Sequence, residues 1–239
     1  MVSVLIRPRA IHAISFDLDD TLYDNRPIMR HAEQQLWAFL AQQYPKTLQW
    51  QAHDWQQLKQ QLLFESPLLA HDTTAARLVT LEQGLLMLGY DRQVAAVGAR
   101  EGLEYFRYHR ADFTVAPEVL AILQQLAARY PLVGITNGNV DAKQIGLGEV
   151  FEFVLHPGNG TRMKPYADMF YQAATRLALP SRLLLHVGDS YTADVQGARL
   201  AGCQAAWLNP AVGRDPQVAG SGLLPHLHLT ALSDLLQLA

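Results

Sequence analysis

Two aspartates one residue apart, Asp17 and Asp19, follow directly on the run Ala10-Ile11-His12-Ala13-Ile14-Ser15-Phe16. The run is short and apolar, which reads as a buried strand. Carboxylates do not belong inside a strand core unless they are paired or bind a metal. The strand therefore has to deliver them to its C-terminal tip, where open α/β sheets hold their ligands. Residues two apart on a regular strand point to the same side. The plainer alternative is a polar turn with a helix cap, where Asp and Thr are common. Three further places decide against it. Thr136 and Asn137 end the apolar run 131–135, Lys164 precedes a helical pattern, and Gly188-Asp189-Ser190-Tyr191-Thr192-Ala193-Asp194 follows the apolar run 183–187. Each alone is an ordinary turn or helix entry. Together they place carboxylates, a hydroxyl and a lysine at strand ends and helix starts, the groups needed for nucleophilic and acid–base chemistry on an anion.

In this order, the four sets resemble the four motifs of the haloacid dehalogenase superfamily in its phosphatase form. Position by position, the resemblance implies that Asp17 is the nucleophile and Asp19 the general acid/base. Dehalogenases of the superfamily typically lack an acid at the second position, so Asp19 favours phosphoryl transfer. A phosphate monoester hydrolyses very slowly without help. An aspartate nucleophile splits the reaction into formation and hydrolysis of an aspartyl-phosphate. Asp17, Asp19 and Asp189 would then face a dianionic substrate, and each like-charge pair at about 4 Å costs about 4 kcal/mol at an effective dielectric near 20. A hard divalent cation answers this, and Mg²⁺ is the usual one where carboxylates share it with phosphate. Asp17 and Asp189 are assigned as carboxylate ligands. The resemblance adds the backbone carbonyl of Asp19. Lys164 supplies fixed positive charge to Asp17 and to the transferring group. Thr136, with Asn137, Lys164 and neighbouring backbone N–H groups, is assigned to the phosphoryl oxygens. Asp194 is expected behind these, holding Lys164 or a metal-bound water.

These residues need a frame. After the first strand the period changes to helical: Met29, Ala32, Leu36, Phe39 and Leu40 form one stripe, ended by Pro45. A second stretch carries Trp55, Leu58 and Leu62 and closes at Ser66-Pro67. Asp72 or Thr73 can cap a third, with Leu78, Leu81, Leu85 and Leu88, and a weaker fourth runs from about Gln93 to Tyr108. From Pro117 strands and helices alternate, with strands at 131–135, 151–155, 183–187, 204–208 and 227–229. That alternation means a parallel sheet with helices on both faces. The expectation is an α/β chain with a Rossmann-like core, 1–24 and 112–239, and an all-helical cap, 25–111, inserted after the first strand.

The chain has 239 residues, 49% of them hydrophobic, and a net charge of −3, enough for one large domain or a core with an insertion. No basic block marks a nucleic-acid surface, and no apolar run reaches the length of a membrane span. The single cysteine, Cys203, permits no intrachain disulfide and fits a reducing compartment. A soluble, cytoplasmic enzyme acting on a small phosphorylated metabolite is expected. Other features read as structural. His226 and His228 share a strand face with no third metal ligand nearby in sequence. Asn159-Gly160-Thr161 fits a glycosylation acceptor that a cytoplasmic chain does not use. His186 and Cys203 read as core.

One branch of the superfamily is closer than the rest. The stretches Thr21-Leu22-Tyr23-Asp24-Asn25-Arg26-Pro27, Ile135-Thr136-Asn137-Gly138-Asn139 and Phe151-Glu152-Phe153-Val154-Leu155 look like those of bacterial flavin mononucleotide phosphatases. Those enzymes also dephosphorylate the ribitylaminouracil phosphate of riboflavin synthesis. The alternatives are a phosphatase for another sugar or nucleotide monophosphate, a haloacid dehalogenase, and a non-catalytic phosphate-binding module. Substrate choice is expected to lie in the helical insertion, with hinges near Tyr23–Pro27 and Arg110–Val115. Tyr23, Tyr105 and Phe106 could offer a flat surface to a ring, or simply pack.

Overall fold

The structure is a computed structural model that describes residues 2–218 and 222–238. The expected core limits at 1 and 239 lie outside the described residues. Two compact units emerge: Met1–Asn25 with Thr114–Gly138 and Ala142–Ala239, and Arg26–Phe113 with Asn139–Asp141.

In chain order the elements are β1 (Ser3–Val4), β2 (Ala13–Phe16), α1 (Asn25–Gln43), α2 (Ala52–Glu65), α3 (Thr73–Met87), α4 (Arg92–Arg110), α5 (Pro117–Ala127), β3 (Leu132–Ile135), β4 (Val154–Leu155), α6 (Asp168–Arg176), β5 (Leu184–Gly188), α7 (Gly197–Leu200), β6 (Gln204–Leu208) and β7 (Leu227–Leu229). The first unit is a Rossmann-like α/β core. Its sheet has the order β1-β7-β6-β5-β2-β3-β4. All pairings are parallel except β1 with β7. The sequence did not signal β1. Two exposed residues carry no periodicity, and only pairing with Leu227 and His228 makes them a strand.

β2 lies between β5 and β3 and is buried at all four residues, so its apolar content is what a strand covered on both faces requires. Phe16 is level with Gly134 of β3 and Val187 of β5. This register brings the C-terminal ends of the three central strands together, with Asp17, Thr136 and Asp189 just past them. Ala13, Val133, Ile135 and Leu184 pack with Met169, Phe170 and Ala173 of α6 in one apolar cluster.

The second unit is helical. Ala32, Leu36 and Leu40 of α1 meet Leu81 and Leu85 of α3 and Ala95, Ala99 and Phe106 of α4. Asp72 caps α3 and Asp91 caps α4, each accepting a hydrogen bond from a backbone N–H three residues on. The weak apolar signal of α4 has a packing cause: its buried face is largely Ala95, Gly98, Ala99 and Gly102, small residues that admit close approach. Phe106 is buried beneath the Arg77 guanidinium, 3.6 Å from its ring, and Tyr105 stacks on Phe39. Both are therefore packing residues of the helical unit.

Candidate active site

Past Phe16 the chain turns tightly. The N–H of Leu22 returns to Leu18 O at 2.9 Å, and that of Asp20 to Tyr23 O at 2.8 Å. Asp20 takes a positive φ of 61° at this turn. The turn holds Asp17 and Asp19 at the sheet edge, and the Tyr23 hydroxyl donates to Asp19 Oδ1 at 2.8 Å. Thr21 lies between Asp17 Oδ2 and Asp189 Oδ1, at 3.3 and 3.2 Å.

Lys164 arrives from the loop between β4 and α6 and is 2% exposed. Its ammonium donates to Asp17 Oδ1 at 2.7 Å, to the Ile135 carbonyl, and pairs with Asp194 Oδ1 at 2.8 Å. All three of its donors thus have acceptors. Burial alone would lower its pKa, but Asp17 and Asp194 outweigh burial and the net shift is upward. Lys164 therefore stays charged. Its backbone is gripped by Asn137: the Asn137 amide N–H donates to Lys164 O at 2.9 Å, and Lys164 N–H donates to Asn137 Oδ1 at 2.8 Å. Asn137 was expected on a phosphoryl oxygen. Both polar ends of its side chain hold the lysine backbone, and the residue lines the cavity of the site. Thr136 is fully buried, and its hydroxyl accepts from Gly138 N–H at 3.0 Å, leaving one O–H to donate.

Asp189 and Asp194 come from the segment after β5. The Trp207 indole N–H fixes the Asp189 carbonyl at 2.8 Å. Residues Tyr191–Gln196 form one wide turn of π-helix, a form often found at functional sites. That turn carries Asp194 back beneath Lys164, where Ser190 N–H donates to Asp194 Oδ2 at 2.8 Å. A Cβ at residue 188 would fall 2.2 Å from Asp194 Cγ, so Gly188 is required for this approach. Likewise a Cβ at residue 138 would lie 2.6 Å from Asp19 Oδ2.

His186 has a role that the sequence did not signal. It is fully buried, as expected of core, but it is wired to the site: Nε2 lies 3.1 Å from Asp194 Oδ1, and Nδ1 lies 2.9 Å from Ser15 Oγ. Asp194 accepts, so Nε2 carries the proton and Ser15 donates to Nδ1. Burial and the Lys164 charge push the imidazole down to about 4, so it is neutral. Ser15 and His186 face each other across adjacent strands, a lateral pairing without a local sequence signal.

The carboxylates report crowding. Burial holds Asp17 well above the usual carboxylate range; Lys164 opposes that rise, while Asp194 and Asp19 add to it. Burial, then Asp194 and Asp20, push Asp189 up to about 7. Asp194 is lowered, because Lys164 and His186 outweigh its burial. Ligand oxygens of Asp17, Asp189 and Asp194 lie within 4.8 Å of one another. This all-oxygen donor set fits a hard divalent cation such as Mg²⁺. Asp194 already accepts from Lys164, His186 and Ser190, so Asp17 and Asp189 are the carboxylates with room for a metal. These groups, with Asp19, Thr136 and Gly138, surround a cavity of about 230 Å³.

The chain is similar to known proteins over most of its length. A model of haloacid dehalogenase-like hydrolases matches residues 11–202. The 5-amino-6-(5-phospho-D-ribitylamino)uracil phosphatase YigB of Escherichia coli (strain K12) is 41% identical over 228 residues, spanning 95% of this chain and 96% of that one. A crystal structure of a 2-haloacid dehalogenase from Pseudomonas syringae pv. Tomato DC3000 superposes with a TM-score of 0.88 at 34% identity, over 95% of this chain and 97% of the other. The magnesium-bound form of the putative hydrolase YfnB from Bacillus subtilis shares the fold, with a TM-score of 0.64 at 19% identity over 96% and 99% of the two chains. Among the described residues no helix is long and apolar enough to cross a membrane.

Proposed function

The chain belongs to the haloacid dehalogenase-like hydrolase family and is a phosphatase of it; from that premise we propose that it hydrolyses the ribitylaminouracil phosphate of riboflavin synthesis or flavin mononucleotide, through an aspartyl-phosphate on Asp17. One observation carries the reaction: Asp17 Oδ1 is fixed 2.7 Å from a permanently charged Lys164, with Asp19 across the same cavity held by Tyr23. A Asp17 carboxylate oxygen attacks phosphorus as the bond to the leaving oxygen breaks, and Asp19 gives that oxygen its proton. Water then attacks the same phosphorus, Asp19 takes a proton from it, and the bond to Asp17 breaks to free phosphate. Lys164 and Thr136 stabilise the phosphoryl oxygens, and the wide turn and Asn137 keep Lys164 in place. Asp17 and Asp189, with the carbonyl of Asp19, would hold Mg²⁺, which when bound neutralises charge on the phosphoryl group.

Two of the relatives differ in the activity their names carry. Asp19 separates the readings, since a dehalogenase has no leaving oxygen to protonate. The substrate rests on the 41% identity along almost the whole chain. We assign substrate choice to the helical unit, because the core groups address only a phosphoryl group and a metal. The test is a screen of phosphorylated metabolites and 2-haloacids with purified protein and Mg²⁺. Phosphate release with highest kcat/KM on flavin or ribitylaminouracil phosphate is expected. Halide release without phosphate release would overturn the reaction, and a marked preference for other sugar phosphates would overturn the substrate.

A further inference from the structure

A second cluster of metal-ligating side chains lies in the helical unit and plays no part in the chemistry above. His31 stands in the second turn of α1, His109 in the last turn of α4, and Asp112 just beyond it. One ligand atom from each lies within 4.8 Å of the others. The two imidazoles meet edge to face, centroids 5.5 Å apart at 75°. His109 is also packed against Tyr105 and Tyr108, at 4.7 and 5.1 Å between ring centroids, which fixes its ring. Its Nδ1 is buried and has no hydrogen-bond partner. A buried polar nitrogen without a partner is costly and calls for an explanation.

We propose that His31, His109 and Asp112 form a Zn²⁺ site, with water completing the coordination. The donor chemistry separates it from the catalytic cluster. Two imidazoles and a carboxylate suit borderline transition metals, whereas the oxygens of Asp17 and Asp189 suit Mg²⁺. Ligand atoms around tetrahedral zinc stand about 3.3 Å apart, given Zn–N near 2.0–2.1 Å. The present spacing must therefore tighten by up to about an ångström or two. His31 and Asp112 are exposed and can swing in, while His109 stays packed. The metal would tie the start of α1 to the end of α4, the two places where the chain enters and leaves the helical unit.

Untagged protein, stripped with chelator and dialysed, is titrated with zinc in excess Mg²⁺ so that the catalytic carboxylates are already occupied. Bound zinc is read by metal analysis after gel filtration, and Tm is followed in parallel. The wild type is expected to retain one zinc per chain and to gain in Tm. His31→Ala and Asp112→Asn should weaken zinc binding about tenfold or more and lose the Tm gain, with helical content and the Tm of the zinc-free protein kept. These exposed positions are chosen because His109→Ala removes a packed ring and could unfold the helix end. Failure of the wild type to retain zinc, or retention by His31→Ala with unchanged affinity, would overturn the site.

Discussion

Replacing Asp194 by asparagine tests the core of the site. The substitution keeps shape and removes one charge. In the native site Asp194 Oδ1 accepts from Lys164 at 2.8 Å and from His186 at 3.1 Å, and Oδ2 accepts from Ser190 N–H at 2.8 Å. An amide has one oxygen, so whichever way it turns, its NH₂ faces a donor. The Lys164–Asp194 attraction at that spacing is about 6 kcal/mol at an effective dielectric near 20. Much of it offsets the desolvation of both ions, and breaking one half of a buried pair typically costs about 3–5 kcal/mol. Asp194→Asn should therefore lose about 3–5 kcal/mol of stability in urea unfolding. Lys164 keeps Asp17 as its only carboxylate partner, so kcat should fall, while the Mg²⁺ concentration for half-maximal activity should change little. Asp189→Ala is the counterpart: it should raise the Mg²⁺ requirement several-fold. An Asp194→Asn enzyme that keeps wild-type stability and kcat would refute the clamp. One that behaves like Asp189→Ala would make Asp194 a metal ligand.

Asp17→Asn should abolish turnover and covalent labelling from a phosphorylated substrate, since an amide is not a nucleophile, whereas Asp19→Asn should slow turnover by about 10²–10⁴-fold; rapid-quench labelling separates the two, and wild-type turnover by Asp17→Asn would sink the assignment. Gly138→Ala places a methyl 2.6 Å from Asp19 Oδ2, so steady-state assays should show a lower kcat with the thermal midpoint nearly kept. Burial, with Arg199 and Arg9 nearby, pushes His226 down to about 4, against an ordinary value of 6.5. The unfolded chain then takes the proton first, so the stability His226 contributes is present above about 6.5 and lost as pH falls toward about 4. Urea midpoints at pH 7 and 4.5 should accordingly fall less for His226→Gln than for the wild type, and equal falls would contradict this.

The sequence alone determined whatever is written in local order. An apolar run followed at once by a polar or charged residue has to end at a strand tip, and so the runs 10–16, 131–135 and 183–187 with Asp17, Thr136 and Asp189 beyond them were legible in the sequence; the strands themselves are 13–16, 132–135 and 184–188. Helical periods gave α1 to α3, with Asp72 marking the start of α3, for the same reason, since periodicity and capping are properties of neighbours in the chain. Where the buried face is built of alanine and glycine, as in α4, the pattern faded although the helix did not. Lateral relations belonged to the tertiary structure. Lys164 reaches Asp17 across 147 residues of chain, and Asn137 takes both polar atoms of the Lys164 backbone. His186 looks like any strand residue until strand pairing sets it beside Ser15 and the wide turn brings Asp194 to its other side. His31 and His109 became neighbours only when α1 packed on α4. The physical reason is common to all of these: spacing in sequence fixes which way a side chain points on its own element, and packing decides what it points at.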